Sequence, residues 1–438
     1  MRTEIRDPKR ENMNQQIFWH TTVDMPNDSS LTPIPENVDV AIIGGGYTGL
    51  SAARTLAKRG TKVVVLEAET MGWGASSRNG GMTLTGLKVA MQTVIKDYGR
   101  DLARELFQYS LDSVNTVEQI VNEENINCGF ARTGHLLAAN KPKHFEALKG
   151  EVDFMAKEFN HNVHLVPPSE MRSEIGTDIY HGALVDEVSA GLNPAQYVAG
   201  LSGAAEKAGA MLCARARVTK LERSHDRFTI ETNRGSLTAQ SVLVATSGYT
   251  GNVTRNLQKR IIPIGSFIIA TERLSNELAH ELSPKNRMIF DYRHFLNYFR
   301  LWDNRMIFGG RAAFFPENEN TIAQSGEILR REMVTVYPQL KDVKVEYVWG
   351  GTLDFAFDQM THVGEMDGVN YSLGYAGHGV AMGTHLGMKV AEAMLAGAVN
   401  ENPFAKVRFP SAPLGLYNGS PWFLPFAGLY YKVLDWVE

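Results

Sequence analysis

Three glycines near the N-terminus have the spacing of a phosphate-binding turn. Gly44, Gly46 and Gly49 form the pattern Gly-x-Gly-x-x-Gly between the apolar run Val38–Ile43 and a segment with helical periodicity. In such a turn the first glycine permits a tight bend, the second lets the backbone approach a pyrophosphate, and the third lets helix and strand pack closely. The N–H groups at the start of the helix would therefore bind the phosphates of a dinucleotide.

An acidic residue follows at the distance that ribose recognition requires. Glu67 ends a second apolar run, Lys62–Leu66, and stands roughly 20 positions beyond Gly44. A carboxylate there accepts hydrogen bonds from ribose hydroxyls and repels the additional phosphate of NADP. The two runs, with the helix Tyr47–Arg59 between them, predict a βαβ unit that opens a dinucleotide-binding sheet.

A loop of small residues follows the βαβ unit. The segment Gly72–Gly81 is dense in glycine, alanine and serine, and it contains a single arginine, Arg78. Small residues allow a backbone to run close to a flat ring system, and the hydroxyls and Arg78 can donate hydrogen bonds to phosphate oxygens. This loop therefore favours FAD over NAD as the dinucleotide.

Two later turns complete the set of cofactor-binding patterns. The glycine-rich segment Gly374–Gly383 opens a late helix, so its N–H groups and the helix dipole would stabilise negative charge on a reduced flavin. Its His378 is interpreted as a structural histidine, with the backbone in the binding role. Val244–Gly248 has the form of a smaller turn that approaches the adenosine half.

These patterns together predict the residues that contact the cofactor, and no metal site is predicted. The cofactor-binding set is Gly44, Gly46, Tyr47, Thr48, Gly49, Glu67, Ala68, Gly74, Ala75, Ser76, Ser77, Arg78, Asn79, Gly80, Gly81, Met82, Val218, Thr246, Ser247, Gly248, Gly377, His378, Gly379, Val380 and Ala381.

Composition narrows the class of protein. Of the 438 residues, 44% are hydrophobic and 21% charged, as in an ordinary globular protein with a sizeable core. The net charge is −4 with acids and bases interspersed, so we expect no nucleic-acid partner.

The charged N-terminus lacks the apolar segment of a signal peptide, and no run of about 18 apolar residues predicts a transmembrane helix. Two cysteines, Cys128 and Cys213, are too few for a disulfide framework, so we expect a cytoplasmic protein.

The order of the predicted elements indicates the fold class. Helical periodicity dominates Met91–Phe159, whereas residues 261–349 alternate as β-strands do, with one helix near Ile328–Val336. This order predicts an α/β fold: a discontinuous FAD-binding Rossmann-like domain of the glutathione-reductase type, interleaved with a β-rich α+β substrate domain. The expected division is a lead-in at 1–35, the FAD-binding domain at 36–90, 190–258 and 350–400, the substrate domain at 91–189 and 259–349, and an aromatic C-terminal tail at 401–438.

The C-terminal segment Pro421–Trp436 is rich in aromatic residues. Pro425 breaks it, and Lys432 and Asp435 place charges within it. We expect it to pack on the body of the protein or at a subunit contact, and contact with a membrane interface is the alternative.

Several of these motifs occur together in one known superfamily. AIIGGGYTGL, the acid Glu67, GWGASSRNGG, SAGLNPAQYV and GYAGHGVAMGTHLG stand in the order found in the D-amino-acid oxidase/glycine oxidase superfamily, which the chain resembles over nearly all of its length after residue 15. Within it, the chain is most similar to the gamma-glutamylputrescine oxidase-type branch, through GASSRNGG, FIIATERL with ELAHEL, YFRL with RMIFGG, PQLKDVKVEYVWGG and SGYTGN. The resemblance implies the superfamily's fold, bound FAD, and oxidation of an amine to an imine that hydrolyses to an aldehyde.

The chain departs from the superfamily's pattern at several places. Where glycine oxidase and its relatives hold the substrate carboxylate with an arginine, the segment Trp349–Thr352 contains glycines, which argues against an α-amino acid held in that manner. Neither Cys128 nor Cys213 lies where sarcosine oxidases attach the flavin, so we expect non-covalent FAD. Ile307 falls about where those enzymes have a lysine over the flavin, and Met82 replaces a glutamine of the polyamine-type branch.

The expected activity is oxidation of a C–N bond in a small amine such as gamma-glutamylputrescine, by hydride transfer to nitrogen-5 of the flavin, with O2 as the acceptor. The substrate-side candidates are Tyr298, Arg300, Trp349 and Asp354. Asp354 or Asp358 would attract a distant ammonium group of the substrate, while solvated loop carboxylates and core aromatic residues are the alternative interpretation of these positions. Three alternative functions stay open: an oxidase of glycine, sarcosine or D-amino acids, an amine dehydrogenase with a non-oxygen acceptor, and a flavin-binding protein without turnover.

Overall fold

The structure is a computed structural model that describes residues 13–26, 31–293, 296–310, 318–412, 415, 417–424 and 426. The strands, in chain order, are β1 (Asn37–Ile43), β2 (Val63–Leu66), β3 (Met82–Thr83), β4 (His135–Ala138), β5 (His164–Val166), β6 (Ala183–Asp186), β7 (Ala190–Gly191), β8 (Met211–Cys213), β9 (Val218–Ser224), β10 (Arg227–Thr232), β11 (Gly235–Val244), β12 (Ile261–Thr271), β13 (Met288–Asp291), β14 (Asn297–Trp302), β15 (Arg305–Gly310), β16 (Val345–Ala356), β17 (His362–Met366) and β18 (Val369–Leu373). The α-helices are α1 (Tyr47–Lys58), α2 (Met91–Tyr98), α3 (Arg100–Glu123), α4 (Pro142–Phe159), α5 (Pro194–Lys207), α6 (Arg255–Gln258), α7 (Asn276–Leu282), α8 (Glu319–Val336) and α9 (Ala381–Ala396).

The first sheet is built around the predicted βαβ unit. Its strand order is β17-β18-β11-β1-β2-β8, and β1 lies parallel to both β2 and β11. Residues of β1 alternate between two cores: Ile42 packs with helices α1, α3, α5 and α9, whereas Ala41 packs with the antiparallel strands β9 and β10. Both faces of the parallel strands are therefore covered, which explains why the runs in β1 and β2 are almost continuously apolar.

Helices α1 and α9 approach each other closely on the first sheet. A Cβ atom added to Gly387 would lie only 2.3 Å from the carbonyl oxygen of Thr48, so the two helix backbones are in near contact. Helix α9 also packs against α3. The N-termini of α1 and α9 consequently lie near the same edge of the sheet, where the site described below is found.

The second sheet has the order β16-β12-β15-β14-β13-β4-β6-β5; among its described strands β13 and β4 pair in parallel, and the other neighbours pair antiparallel. One face packs against α7 and α8 through a core that includes Phe299, Phe308 and Met333. An antiparallel sheet can bury one face and leave the other for a different use. The opposite face contributes Tyr298 and Trp349, which contact the loop Arg78–Gly80 of the first domain.

These elements confirm the predicted α/β fold class, with a discontinuous Rossmann-like domain interleaved with a β-rich second domain. The proposed domain boundaries can be placed on this structure. The division between residues 349 and 350 lies inside β16, which pairs with β12 along Val345–Ala356. Helices α2 and α3, assigned to the second domain, contribute Met91 and Val114 to the core beneath the first sheet. Trp19 of the proposed lead-in is fully buried.

The C-terminal segment is described only in part. Leu424 is buried beside Phe355, whereas the side chains of Trp422 and Phe426 are 60% and 71% exposed. Pro425 and residues 427–438 lie outside the described residues, so the placement of the tail stays a prediction. Across the described part of the chain, no helix combines the length and apolar character needed to cross a membrane.

Candidate active site

A cavity of about 580 Å³ opens at the carboxyl ends of the parallel strands. Ile43, Leu66 and Val244, the last residues of β1, β2 and β11, all lie on its wall. In open α/β sheets this edge is where ligands bind, because the loops that follow neighbouring strands converge there. Of the predicted cofactor-binding residues, those on the wall are Gly44, Gly46, Tyr47, Thr48, Glu67, Ala68, Gly74, Ala75, Ser76, Asn79, Val218, Thr246, Ser247, Gly377, Gly379 and Val380.

The first glycine turn has the geometry that its sequence predicts. Gly44 adopts a φ of +111°, which an L-amino acid with a side chain rarely adopts. A Cβ atom on Gly49 would lie 1.9 Å from the Gly44 carbonyl oxygen, so the start of α1 can pack on the turn only with glycine there. Gly45, which the sequence pattern left unassigned, also lies on the wall, and a Cβ atom there would meet Met71 at 2.5 Å. Glycine at these positions therefore lets the turn pack tightly against its neighbours while its backbone lines the cavity.

Glu67 is held on the cavity wall by two backbone donors. One carboxylate oxygen accepts the N–H of Gly45 at 2.7 Å, and the other accepts the N–H of Glu69 at 2.9 Å. Removal of the carboxyl group from bulk water raises the pKa of Glu67, although these backbone donors oppose the shift. The carboxylate is thus oriented before any ligand arrives, with lone pairs left to accept ribose hydroxyls.

The loop of small residues lies along the cavity through only part of its length. Ser76 accepts the N–H of Tyr47 at the start of α1 at 3.0 Å, and Asn79 donates to the carbonyl oxygens of Ala75 and Ser76. Gly74, Ala75, Ser76 and Asn79 reach the wall. The loop therefore closes one side of the cavity with backbone and small polar groups.

The predicted residues Ser77, Arg78, Gly80, Gly81 and Met82 are placed behind that wall. The Arg78 guanidinium lies 4.4 Å from the Trp73 ring centre and donates to the carbonyl oxygens of Trp73 and Gly350. It therefore contacts the second domain rather than the cavity that would hold the phosphates.

The segment before β1 holds this loop from outside. Trp19 donates its indole N–H to the carbonyl oxygen of Asn79 at 2.9 Å, and the His20 imidazole is 2.9 Å from the Ser77 hydroxyl. Burial and, to a smaller extent, Arg78 lower the pKa of His20 to about 4. Sequence reasoning missed both residues because the contacts span about 60 positions of chain.

Asp354 organises the late glycine-rich turn. Its side chain is 3% exposed, and its carboxylate accepts the N–H of Gly374 at 2.7 Å. Burial raises the pKa of Asp354, against the backbone N–H groups of Gly374 and Tyr375 and the Ser247 side chain. The residue lies on the cavity wall, but its oxygens already accept hydrogen bonds from the turn, which differs from the free carboxylate expected for an ammonium group.

The turn itself places backbone rather than side chains at the cavity. Gly377, Gly379 and Val380 line the wall, while His378 and Ala381 do not. Burial is the main cause that lowers the pKa of His378 to about 4, and its Nδ1 has no hydrogen-bond partner among the described residues. Tyr375, which the sequence did not single out, bonds through its hydroxyl to Thr48 at 2.7 Å and so links the two helix N-termini.

The remaining cofactor candidate, Gly248, lies against the second domain. A Cβ atom there would be 2.8 Å from the carbonyl oxygen of Leu353 in β16, so this turn packs on the second sheet while Thr246 and Ser247 reach the cavity. Leu353, Tyr249 and Arg217 line the cavity without having been predicted, and their segments carry no pattern that separates them from ordinary strand or loop residues.

The substrate-side candidates fall into two groups. Tyr298, Arg300 and Trp349 lie on the face of the second sheet that meets the Arg78–Gly81 loop: Trp349 donates to the Arg78 carbonyl oxygen at 2.9 Å, and Arg300 to that of Gly81 at 2.7 Å. Asp358 is elsewhere, with one oxygen bound to the His362 ring at 2.9 Å.

Arg300 is unusual within this group. Its side chain is 4% exposed, and burial lowers its pKa to about 10, so it stays protonated at neutral pH. Among the residues that the structure describes, no carboxylate pairs with it, and its Nε has no hydrogen-bond partner. A buried cation without a counter-charge costs several kcal/mol, which suggests a role other than stability.

The fold and the cavity define a dinucleotide-binding protein in which a second, largely antiparallel sheet closes on the cofactor edge of a Rossmann-like sheet. Residues 39–393 match the family described as FAD dependent oxidoreductase, and the chain belongs to this family. It is 33% identical over 401 residues to gamma-glutamylputrescine oxidoreductase of Escherichia coli, covering 91% of this chain and 92% of that one. A probable oxidoreductase OrdL of Haemophilus influenzae is 31% identical over 409 residues, with the same coverage.

The fold is also that of a solved relative. The glycine oxidase of Geobacillus kaustophilus superposes with a TM-score of 0.69 at 18% identity, over 86% of this chain and 98% of that one. The family membership makes the chain an FAD-dependent oxidoreductase. The residues of the cavity fit FAD: a close-packed glycine turn whose backbone lines the wall, an oriented carboxylate at the ribose position, and backbone N–H groups at two helix N-termini.

Proposed function

We propose that the protein binds FAD non-covalently and oxidises a C–N bond in a small amine of the gamma-glutamylputrescine type. The main support is the similarity over nine-tenths of the chain to a gamma-glutamylputrescine oxidoreductase. The segment Trp349–Thr352 adds to it, since Gly351 faces Arg78 and the segment offers no arginine to clamp an α-carboxylate. An amine recognised away from such a clamp fits this arrangement.

The chain's own residues supply orientation and electrostatics. When FAD is bound, it accepts the hydride from the carbon beside the substrate nitrogen. The backbone N–H groups of Gly377 and Gly379, together with the N-terminus of α9, would stabilise negative charge that develops in the cavity. Glu67 would hold the ribose, and Asp354 accepts the N–H of Gly374 and so keeps that turn in shape.

The position of the cysteines supports the proposal of non-covalent binding. Cys128 and Cys213 are free, fully buried, and absent from the cavity wall. Burial raises the pKa of both thiols, to about 11 for Cys128, so neither is a ready nucleophile toward a flavin. Free thiols also fit a reducing compartment, and we propose a cytoplasmic location on that basis.

One observation favours a second candidate, an oxidase of glycine, sarcosine or D-amino acids. Arg300 is a buried guanidinium without a carboxylate partner among the described residues, beside the Gly81 carbonyl oxygen. Arg300 would there bind a substrate carboxylate in place of the arginine that the segment Trp349–Thr352 lacks.

For the electron acceptor we propose O2, with a quinone or electron-transfer protein as the alternative.

The test starts from the visible spectrum of the purified protein. Acid denaturation should release FAD into the supernatant, and a native anaerobic sample should bleach with gamma-glutamylputrescine or putrescine. Bleaching by glycine, sarcosine or D-alanine alone would replace the proposal with the second candidate. A yellow protein that no amine reduces would refute amine oxidation, and slow reoxidation by air would indicate an acceptor other than O2.

A further inference from the structure

One face of the second sheet presents a row of side chains in register. Tyr298, Phe290, Leu137, Leu184 and Leu165 lie opposite one another on β14, β13, β4, β6 and β5. Their immediate neighbours Phe299, Ile289, Leu136 and Val185 point the other way, into the core under α7 and α8. All five side chains of the row are only half-buried, so this apolar surface has room above it.

The first domain faces this row with the loop that follows the cofactor-binding segment. Met82 and Leu84 pack with Met288, and Phe290 and Tyr298 lie against that cluster. Lys88 and His135 both act electrostatically on His378, which places these groups near one another between the two domains. The apolar row therefore begins, at Tyr298 and Phe290, beside this loop and near His378 of the Gly377–Gly379 turn.

His135 lies next to the apolar row. It is partly exposed, its ring lies edge-on to Phe290 at 5.9 Å, and its Nδ1 is 2.9 Å from the Ser189 hydroxyl. Its Nε2 has no hydrogen-bond partner among the described residues. One ring nitrogen is thus anchored in the protein, and the other is free to meet a ligand.

The hydrogen bonds behind His135 determine its tautomer. Thr85 donates its hydroxyl to the Asp186 carboxylate at 2.6 Å, so its oxygen can only accept from the Ser189 hydroxyl, 3.3 Å away. When Ser189 donates its proton in that bond, its oxygen accepts Nδ1–H of His135. The chain of donors ends on Asp186, which His161 and the N–H of Val188 also contact. A neutral His135 with its proton on Nδ1 presents a bare lone pair at Nε2.

We propose that Nε2 of His135 accepts a hydrogen bond from the nitrogen of the substrate, a primary or secondary aliphatic amine whose chain lies along the half-buried row from Tyr298 to Leu165. This assignment rests on the proposed function and deepens it. The apolar row disfavours a charged ammonium, because moving a charge out of water is costly. The neutral amine still has an N–H to donate, and only the neutral amine can release the hydride.

The test compares two ligands on a protein that cannot turn over. The flavin is reduced beforehand with dithionite, and calorimetry measures binding of gamma-glutamylputrescine and of its neutral analogue with a methyl group in place of the terminal amine. His135→Leu should weaken binding of the amine about tenfold, the loss of one good hydrogen bond, and leave the analogue within about twofold, since the analogue has no N–H. His135→Gln should recover part of the loss, because its amide oxygen accepts.

Two further variants separate this role from a structural one. Ser189→Ala removes the acceptor that sets the tautomer, and we expect an intermediate loss for the amine alone. His164→Gln, on the exposed end of β5, is the matched control and should bind both ligands as the wild type does. Equal loss of both ligands in His135→Leu, or no loss of the amine, would overturn the role of His135. A wild-type flavin that no amine of the panel reduces would instead overturn the proposed function itself.

Discussion

Glu67→Gln tests the cofactor site at the residue whose geometry is most constrained. Both carboxylate oxygens accept backbone N–H groups, from Gly45 at 2.7 Å and from Glu69 at 2.9 Å. An amide has only one oxygen, so the variant must turn an NH₂ group toward one of these two donors. The side chain then loses one bond to the protein and is displaced from the position in which it meets the ribose.

The size of the effect follows from the bonds that change. A hydrogen bond to a charged acceptor contributes about 1.5–3 kcal/mol, and a change of about 1.4 kcal/mol is tenfold in a binding constant. We therefore expect the Kd of apo-Glu67→Gln for FAD to rise between about 10-fold and 100-fold. Titration of apo-protein with FAD, followed by quenching of flavin fluorescence, measures it, and urea unfolding of the apo-protein detects a loss of binding that comes from unfolding.

Glu69→Gln is the matched control. Glu69 lies two residues away, and its side chain is 42% exposed and paired with Arg217 at 2.7 Å on the cavity rim. Exposed ion pairs contribute at most about 1 kcal/mol, so its Kd for FAD should change by less than about fivefold. Wild-type affinity in a folded Glu67→Gln protein, or equal losses in the two variants, would refute the reasoning.

Three further predictions concern residues around the site. Trp19→Phe removes the N–H donated to the Asn79 carbonyl oxygen and should weaken FAD binding about threefold to tenfold in the same titration. The control Trp422→Phe, at an exposed tryptophan, should leave FAD binding unchanged, and equal effects of the two variants would contradict this prediction. Arg300→Met relieves the burial of an unpaired cation and should raise the free energy of unfolding of the apo-protein by about 1–3 kcal/mol in urea; a loss of stability would show that Arg300 is structural. Burial lowers the pKa of His385 to about 4, so below pH 6.5 the unfolded chain binds a proton at this residue that the folded chain does not bind. The free energy of unfolding should therefore fall by about 2 kcal/mol from pH 7 to pH 5, and His385→Asn should flatten that decline in urea unfolding. An unchanged slope in the variant would show that this explanation is wrong.

Local patterns predicted the elements of the first sheet closely. The apolar runs became β1 and β2, and the helix predicted after the glycine turn, Tyr47–Arg59, is Tyr47–Lys58. These succeed because period and composition act over neighbouring residues: a strand buried on both faces must be apolar throughout, and Asn193 caps α5 locally by accepting N–H groups of Ala195 and Gln196.

Side-chain direction in the loops was harder to predict. The composition of Gly72–Gly81 places a small-residue loop at the cofactor, but Arg78 turns away to Trp73 and Gly350. Its hydrogen-bonding capacity is the same in either direction. One acceptor is the nearby Trp73 carbonyl oxygen, and the other comes from β16, some 270 positions along the chain. No local pattern contains the second contact.

The acidic candidates show the same limit in another form. Asp354 and Asp358 are four positions apart on the chain, yet one is buried against the Gly374 turn at the cavity and the other pairs with His362. Whether a carboxylate is free for a ligand depends on the backbone donors that the fold brings to it, and these come from distant segments.

The sequence by itself determined that this chain forms a glycine turn between a buried strand and a helix, that an acid ends the next strand, and hence that a dinucleotide is bound, because each of these rests on residues close together in the chain. Only the tertiary structure decided which side chains face the cavity and that Trp19 and His20 form hydrogen bonds to the loop of small residues, Gly72–Gly81. It also decided that His135, Ser189, Thr85 and Asp186 form one chain of hydrogen bonds. Those contacts join segments separated by tens to hundreds of residues, and their free energy exists only once both sheets have packed together.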